Sequence, residues 1–185
     1  MPGAVELETP RLRLRQWCDA DLVPFAALCS DPRVMEFFPA SLSREASDAM
    51  ALRCQALIAE RGWGLWAVEE KYSSEFIGFV GLHIPTAVLP FNPCVEIGWR
   101  LAAAYWGKGY ATEAAQAALK FAFDTLQLQE VVSFTSVLNT RSQAVMQRLG
   151  LQLAGTFQHP SIAPENPLAP HVWYRISKSE NRRKM

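Results

Sequence analysis

The chain has no excess of either charge: Lys and Arg together number 18, and so do Asp and Glu. A balanced surface offers no long-range field to gather nucleic acid or an anionic membrane, so partners must be recognised locally. Long apolar runs are missing too. Nothing approaches the roughly 18 consecutive apolar residues of a membrane span, and the opening MPGAVELETP lacks the basic stretch and apolar core of an export signal. The expectation is a cytoplasmic protein. Four cysteines, Cys18, Cys29, Cys54 and Cys94, form no C-x-x-C pair, which argues against a zinc knuckle or a redox dithiol and leaves them as reduced, mostly buried thiols. Histidine is scarce: His83, His159 and His171 have no metal-ligand spacing, so no metal is expected, and each reads as structural rather than catalytic. There is no internal repeat.

What is present is apolar and mixed. Half of the 185 residues are hydrophobic and 19% are charged, enough to bury one sizeable core in a single domain over 1–185, with 178–185 as a flexible basic tail. Strands and helices alternate. RLRLRQW (11–17) has period two and reads as a half-buried strand, and a helix follows near Pro24. From Ser43 to Arg61 a helix places Ala46, Met50, Cys54, Leu57 and Ile58 on one face. Two strands, 64–71 and 76–84, flank the turn-like YSSE as a hairpin. A proline-punctuated loop (85–93) leads to a strand at 94–101. Ala111, Ala114, Ala115, Ala118, Leu119, Ala122, Phe123 and Leu126 then recur at helical spacing. A β-branched strand (130–137), a helix from an Asn139 N-cap to a Gly150 C-cap, and two further strands complete an α/β chain with a mixed sheet.

Between the strand at 94–101 and the alanine-rich helix lies WGKGYA. Glycines there let the backbone approach a ligand, and the free amides of a helix's first turn, with its dipole, attract an anion such as phosphate. Neither familiar phosphate loop fits. The Walker pattern needs four residues between its Gly and its Gly-Lys, and the dinucleotide fingerprint needs a third Gly or Ala where Thr112 stands. On spacing alone, a tight turn in which Gly107 and Gly109 serve only backbone geometry is an equal alternative.

EIGWRLAAAYWGKGYATEA followed by VLNTRSQAVMQRLGL resembles the GNAT superfamily of acyl-CoA N-acyltransferases, and within it the RimJ/RimL-like branch. The likeness runs from ETPRLRLR to HVWYRIS. It implies a central, mostly antiparallel sheet splayed between the fourth and fifth strands and flanked by helices. It also implies that acetyl-CoA is the co-substrate, its pyrophosphate held by backbone amides of a [Q/R]-x-x-G-x-[G/A] loop. On this chain the glycine is Gly109, the small residue is Ala111, and Trp106 replaces the leading Gln or Arg. The cofactor-binding set that follows is Gly98, Trp99, Trp106, Gly107, Lys108, Gly109, Tyr110, Ala111, Thr112 and Asn139. Lys108 either adds a point charge to a phosphate or is simply solvated.

The resemblance also assigns chemistry. A backbone N–H near Gly98 and Trp99, where a bulge splays the strand, polarises the thioester carbonyl. Asn139 contacts the pantetheine arm, and Ser142 protonates the departing sulfur. On the residues alone, Asn139 is an N-cap and Ser142 a first-turn serine, and for Asn139 both roles are compatible. Glu96, between Val95 and Ile97, is either an exposed edge residue or the group that takes the amine's proton, directly or through water. The acceptor is expected to be a small amine or a peptide or protein N-terminus, bound against the proline-rich loop 159–170. A non-catalytic coenzyme A sensor and a peptide-binding module are the other classes considered, and a homodimer is one reading of the oligomeric state.

Overall fold

The computed structural model describes residues 3–182. Eight strands form one sheet: β1 (Leu7–Glu8), β2 (Leu12–Arg15), β3 (Leu65–Glu70), β4 (Glu75–His83), β5 (Glu96–Leu101), β6 (Glu130–Ser136), β7 (Gln152–Gln158) and β8 (Pro170–Ser177). Their order is β1-β2-β3-β4-β5-β6-β8-β7. All neighbours are antiparallel except β5 and β6, which are parallel and share one register pair, Glu96 opposite Val132. The sheet is therefore two ladders joined at a narrow hinge. The strands that separate are those expected to; the two-residue β1, too short to leave a period in the sequence, makes them fifth and sixth rather than fourth and fifth.

Among the described residues there are five α-helices: α1 (Leu22–Ser30), α2 (Arg44–Arg61), α3 (Tyr110–Asp124), α4 (Thr140–Leu149) and α5 (Lys178–Arg182). Their ends follow local chemistry. The Ser43 hydroxyl accepts from the Ala46 amide, Asn139 Oδ1 accepts from the Ser142 amide, and Gly62 and Gly150 close α2 and α4 in the left-handed region. The first five residues of the expected basic tail form α5, before which the Ser177 hydroxyl and amide both donate to Glu180; the rest of that tail lies outside the described residues.

α1 and α2 cover one face of the sheet, α3 and α4 the other. Phe25 of α1 packs edge-on against Phe79 of β4 at 6.0 Å. On the opposite face Trp66 of β3 meets Phe121 of α3 at 5.6 Å and is fully buried. The stripe of α2 that reaches the core is Ser47, Ala51, Cys54 and Ile58. Met50 and Leu57 are half-buried because they line a cavity instead of facing the sheet, and Ala46, a turn before Met50, is exposed.

Candidate active site

β6 leaves β5 immediately after one turn of pairing. The Val132 amide donates to Val95 O at 3.0 Å, and the buried Ser133 hydroxyl donates to Ile97 O at 2.8 Å. Residues 95 and 97 thus turn their backbone groups toward β6. By the two-residue period of a strand Trp99 does the same, but there β6 no longer runs alongside. Gly98 faces the other way and pairs with Gly81 in a β4 ladder whose register is unbroken from Glu96 to Leu101. Of the two residues singled out, Trp99 is the one whose amide faces the gap, and the opening comes from the departure of β6 rather than from a shift in the β4 ladder.

A cavity of about 1430 Å³ passes through this splay. One end lies at the start of α3. Gly107 (φ 72°) and Gly109 (φ 79°) both occupy the left-handed region that other residues avoid, and the first helical bond is Glu113 N–H to Gly109 O. The amides of Tyr110, Ala111 and Thr112 are therefore not used by the helix and stand at its positive end. The loop is clamped from both sides. The Trp106 indole donates to Leu101 O at 2.9 Å, and the Arg141 guanidinium of α4 lies 4.3 Å from its ring centre. Trp106 thus supports the loop as a side chain, a role the motif's first position did not announce. On the other side Arg11 donates to Lys108 O at 2.9 Å, pairs with Glu113 at 2.6 Å and lies 4.5 Å over the Tyr110 ring. Burial opposes ionisation of Glu113, but Thr9 and Arg11 outweigh it and hold its carboxyl below the ordinary range. Arg11 was invisible in RLRLR, where any arginine reads as the solvent face. Lys108 departs from the expected set: it is exposed, with its Nζ 5.1 Å from the Tyr105 ring centre, and among the expected residues it alone does not line the cavity.

Where α4 begins, Asn139 holds three groups. Its Oδ1 accepts from the Ser142 amide, and its Nδ2 donates at 3.1 Å to both Thr135 Oγ1 and Ser142 Oγ. Because Ser142 Oγ accepts there, its own proton is free to be donated elsewhere. Asn139 caps the helix and orients the serine in one geometry.

The cavity's other end lies on the α1/α2 face. Glu96, Gly98 and Arg100 alternate along its floor, opposite His83, Gly81 and Phe79 of β4. A Cβ added to Gly98 would meet only Glu96 Oε1, at 3.8 Å, so this glycine keeps the floor open. Glu96 is half-buried and makes no hydrogen bond or ion pair among the described residues. The surface it keeps belongs to the cavity, and the surrounding protein pushes its carboxyl up to about 8 by desolvation. Phe134, His159, Ser161, Ile162 and His171 form the far wall. The loop 159–170 therefore borders the cavity, through its first residues. All three histidines line it. His159 and His171 are not isolated: their rings are 4.9 Å apart. Burial pushes all three below the ordinary histidine range, which makes them neutral at pH 7. No group of three or more His, Cys, Asp or Glu able to hold a metal occurs among the described residues, and no helix there is long and apolar enough to cross a membrane.

A sheet opened between parallel strands, with a glycine-bounded helix start on one side and an unpaired carboxyl on the other, is the architecture of acyl-CoA N-acyltransferases. A family model described as an acetyltransferase (GNAT) domain matches residues 11–152, and the chain belongs to that family: it is an acetyl-CoA-dependent acetyltransferase. It is 30% identical over 161 residues to the uncharacterized protein YkkB of Bacillus subtilis, covering 85% of this chain and 91% of that one. A GNAT-family acetyltransferase from Bacillus anthracis superposes with a TM-score of 0.79 at 25% identity, over 95% of this chain and 100% of the other. RimL, a ribosomal L7/L12 alpha-N-protein acetyltransferase solved with coenzyme A, shares the fold with a TM-score of 0.74 at 17% identity, over 94% of this chain and 98% of its own.

Proposed function

We propose that this chain passes an acetyl group from acetyl-CoA directly to a primary amine, a small amine or a peptide or protein N-terminus, bound on the α1/α2 face of the splay. The observation that carries the reading is the continuity of one cavity from the Gly107/Gly109 helix start, past the Trp99 backbone, to the unpaired Glu96. The first-turn amides and Arg11 suit a pyrophosphate, and the gap in the sheet suits an extended pantetheine arm beside Asn139.

Each remaining group has a task in the transfer. Glu96 takes the proton as the amine nitrogen forms its bond to the acetyl carbon. With its carboxyl near 8, it matches an α-amine of about 7.8 far better than a lysine of about 10.4, so the proton moves with little uphill cost. The Trp99 amide faces the position where charge develops on the carbonyl oxygen and stabilises it as a fixed dipole. As the carbon–sulfur bond breaks, Ser142 donates its free proton to the departing thiolate.

Thiol release followed with acetyl-CoA and a panel of amines, peptides and polyamines tests the reading. Amine-dependent release with N-acetyl product supports it. Coenzyme A binding with no release on any amine would point to a sensor, and peptide binding indifferent to coenzyme A to a peptide module.

A further inference from the structure

The acceptor end of the cavity is rich in unpaired positive charge. Arg53 and Arg61 on α2 and Arg100 on β5 all line it, and none has a carboxylate within 4.0 Å among the described residues; of the other lining arginines, Arg11 and Arg141 are paired with Glu113 and Glu36, and Arg148 on α4 is unpaired. Arg100 is the most constrained. Its guanidinium lies 4.3 Å from the Phe38 ring centre and 5.3 Å from that of Phe79. Among the described residues its hydrogen bonds go only to sulfur, to Cys29 at 3.4 Å and Met50 at 3.9 Å, and its Nε is buried with no partner. A guanidinium has five donors, and leaving buried ones unmade is costly.

The three arginines act on one region. Burial pushes the Cys54 thiol up to about 11, with Arg53 and Arg100 pulling against it, and burial pushes His83 down, helped by Arg61 and Arg53. No arginine comes within 4.0 Å of the Glu96 carboxyl among the described residues, so the cluster stands clear of the expected base. The two are separated by the open floor at Gly98: Arg100 lies four residues along β5 from Glu96, about 13 Å between backbones at the rise of a strand, a gap that the two side chains narrow.

We propose that the acceptor is an amine that also carries a carboxylate several bonds from its nitrogen, with Arg100 binding the carboxylate while the amine lies beside Glu96, and with Arg53 and Arg61 framing the entrance. The inference deepens the acetyl-transfer reading and rests on it. Planar guanidinium on a planar carboxylate gives paired, charge-assisted hydrogen bonds, and the flanking Phe38 and Phe79 rings hold the fork in place before the ligand arrives. Arg100 is a specificity residue here, because it touches the acceptor away from the reacting atoms.

Matched acceptors test this: peptides differing only in N-terminal Glu or Gln, and 4-aminobutyrate against its amide. For wild type we expect the carboxylate member of each pair to have a kcat/KM at least about 10-fold higher, mainly through KM. In Arg100→Gln that ratio should collapse toward one, and in Arg53→Gln, an exposed position that keeps the test alive if the first variant fails to fold, it should shrink. Equal or reversed preference in wild type, or a preference intact in both variants, overturns the proposal. If no amine is acetylated, the acetyl-transfer reading fails separately, and binding decides the anion site: calorimetry of coenzyme A-saturated protein with N-acetylglutamate and with the neutral N-acetylglutamine amide. Tighter binding of the anion that is lost in Arg100→Gln upholds the site. Equal binding of the two, as expected if water fills the guanidinium donors, removes it.

Discussion

Glu96→Gln changes one atom at the cavity floor and separates stability from chemistry. Burial raises the Glu96 carboxyl from its ordinary 4.5 to about 8. The folded protein thus holds this proton more tightly than the unfolded chain. As pH climbs from about 4.5 to about 8, the unfolded state ionises while the native state stays neutral, so stability falls through that window and levels off above it. The limiting slope is about 1.4 kcal/mol per pH unit, reduced in practice because the cavity admits water. The variant lacks the slope: it should melt with wild type near pH 5 and above wild type at pH 8. Activity should move the opposite way. The base is about half ionised at pH 8 and about one-hundredth ionised at pH 6, so the ratio of wild-type to variant kcat/KM should grow with pH, reaching on the order of 10² where the carboxylate predominates. The acceptor's own titration appears in both proteins and cancels in the ratio. Two measurements on one panel of buffers decide it, melting temperature and kcat/KM. A ratio flat with pH would remove Glu96 from proton transfer, and a wild-type melting advantage at pH 8 would refute the buried-carboxyl argument itself.

Gly109→Val puts a β-branched residue at φ 79°, a strain of about 1–3 kcal/mol; we expect a folded protein with coenzyme A affinity lost in calorimetry, and undiminished affinity would reduce WGKGYA to a turn. Gly98→Val adds atoms to open floor in a conformation that valine accepts, so the acceptor's KM should rise about 10-fold or more with coenzyme A affinity little changed; parallel changes in both would place Gly98 on the coenzyme side. Ser142→Ala keeps the cap, since Asn139 Oδ1 binds the backbone amide, and removes only the bond from Asn139 Nδ2, a loss of about 1 kcal/mol or less. If the hydroxyl protonates the thiolate, kcat per folded molecule falls by about 10², at the low end for a general acid because coenzyme A leaves well, and wild-type kcat beside a lowered melting temperature would make the serine structural.

The parts of this site that were legible in the sequence are those carried by the backbone. The alanine stripe dictates α3, and once α3 is fixed, Gly107 and Gly109 stand at its first turn whatever surrounds them. Asn139 and Gly150 bound α4 for the same local reason. What escaped is what depends on the third dimension. Period two in GWRL separates the faces of β5 but cannot say that one of them borders a cavity; Arg100 reads as solvent-exposed until Phe38 and Met50 arrive from a different part of the chain. The α2 pattern fails at the same boundary. Ala46, Met50 and Leu57 satisfy helical spacing as well as Ser47 does, yet Ser47 is the buried one, its hydroxyl donating to Arg44 O at 2.9 Å. A hydroxyl satisfied within its own helix costs little to bury, whereas Met50 and Leu57 line the space above the floor. An apolar residue facing a cavity and one facing a core obey the same period, so periodicity locates the helix and leaves the site's walls to be found by packing.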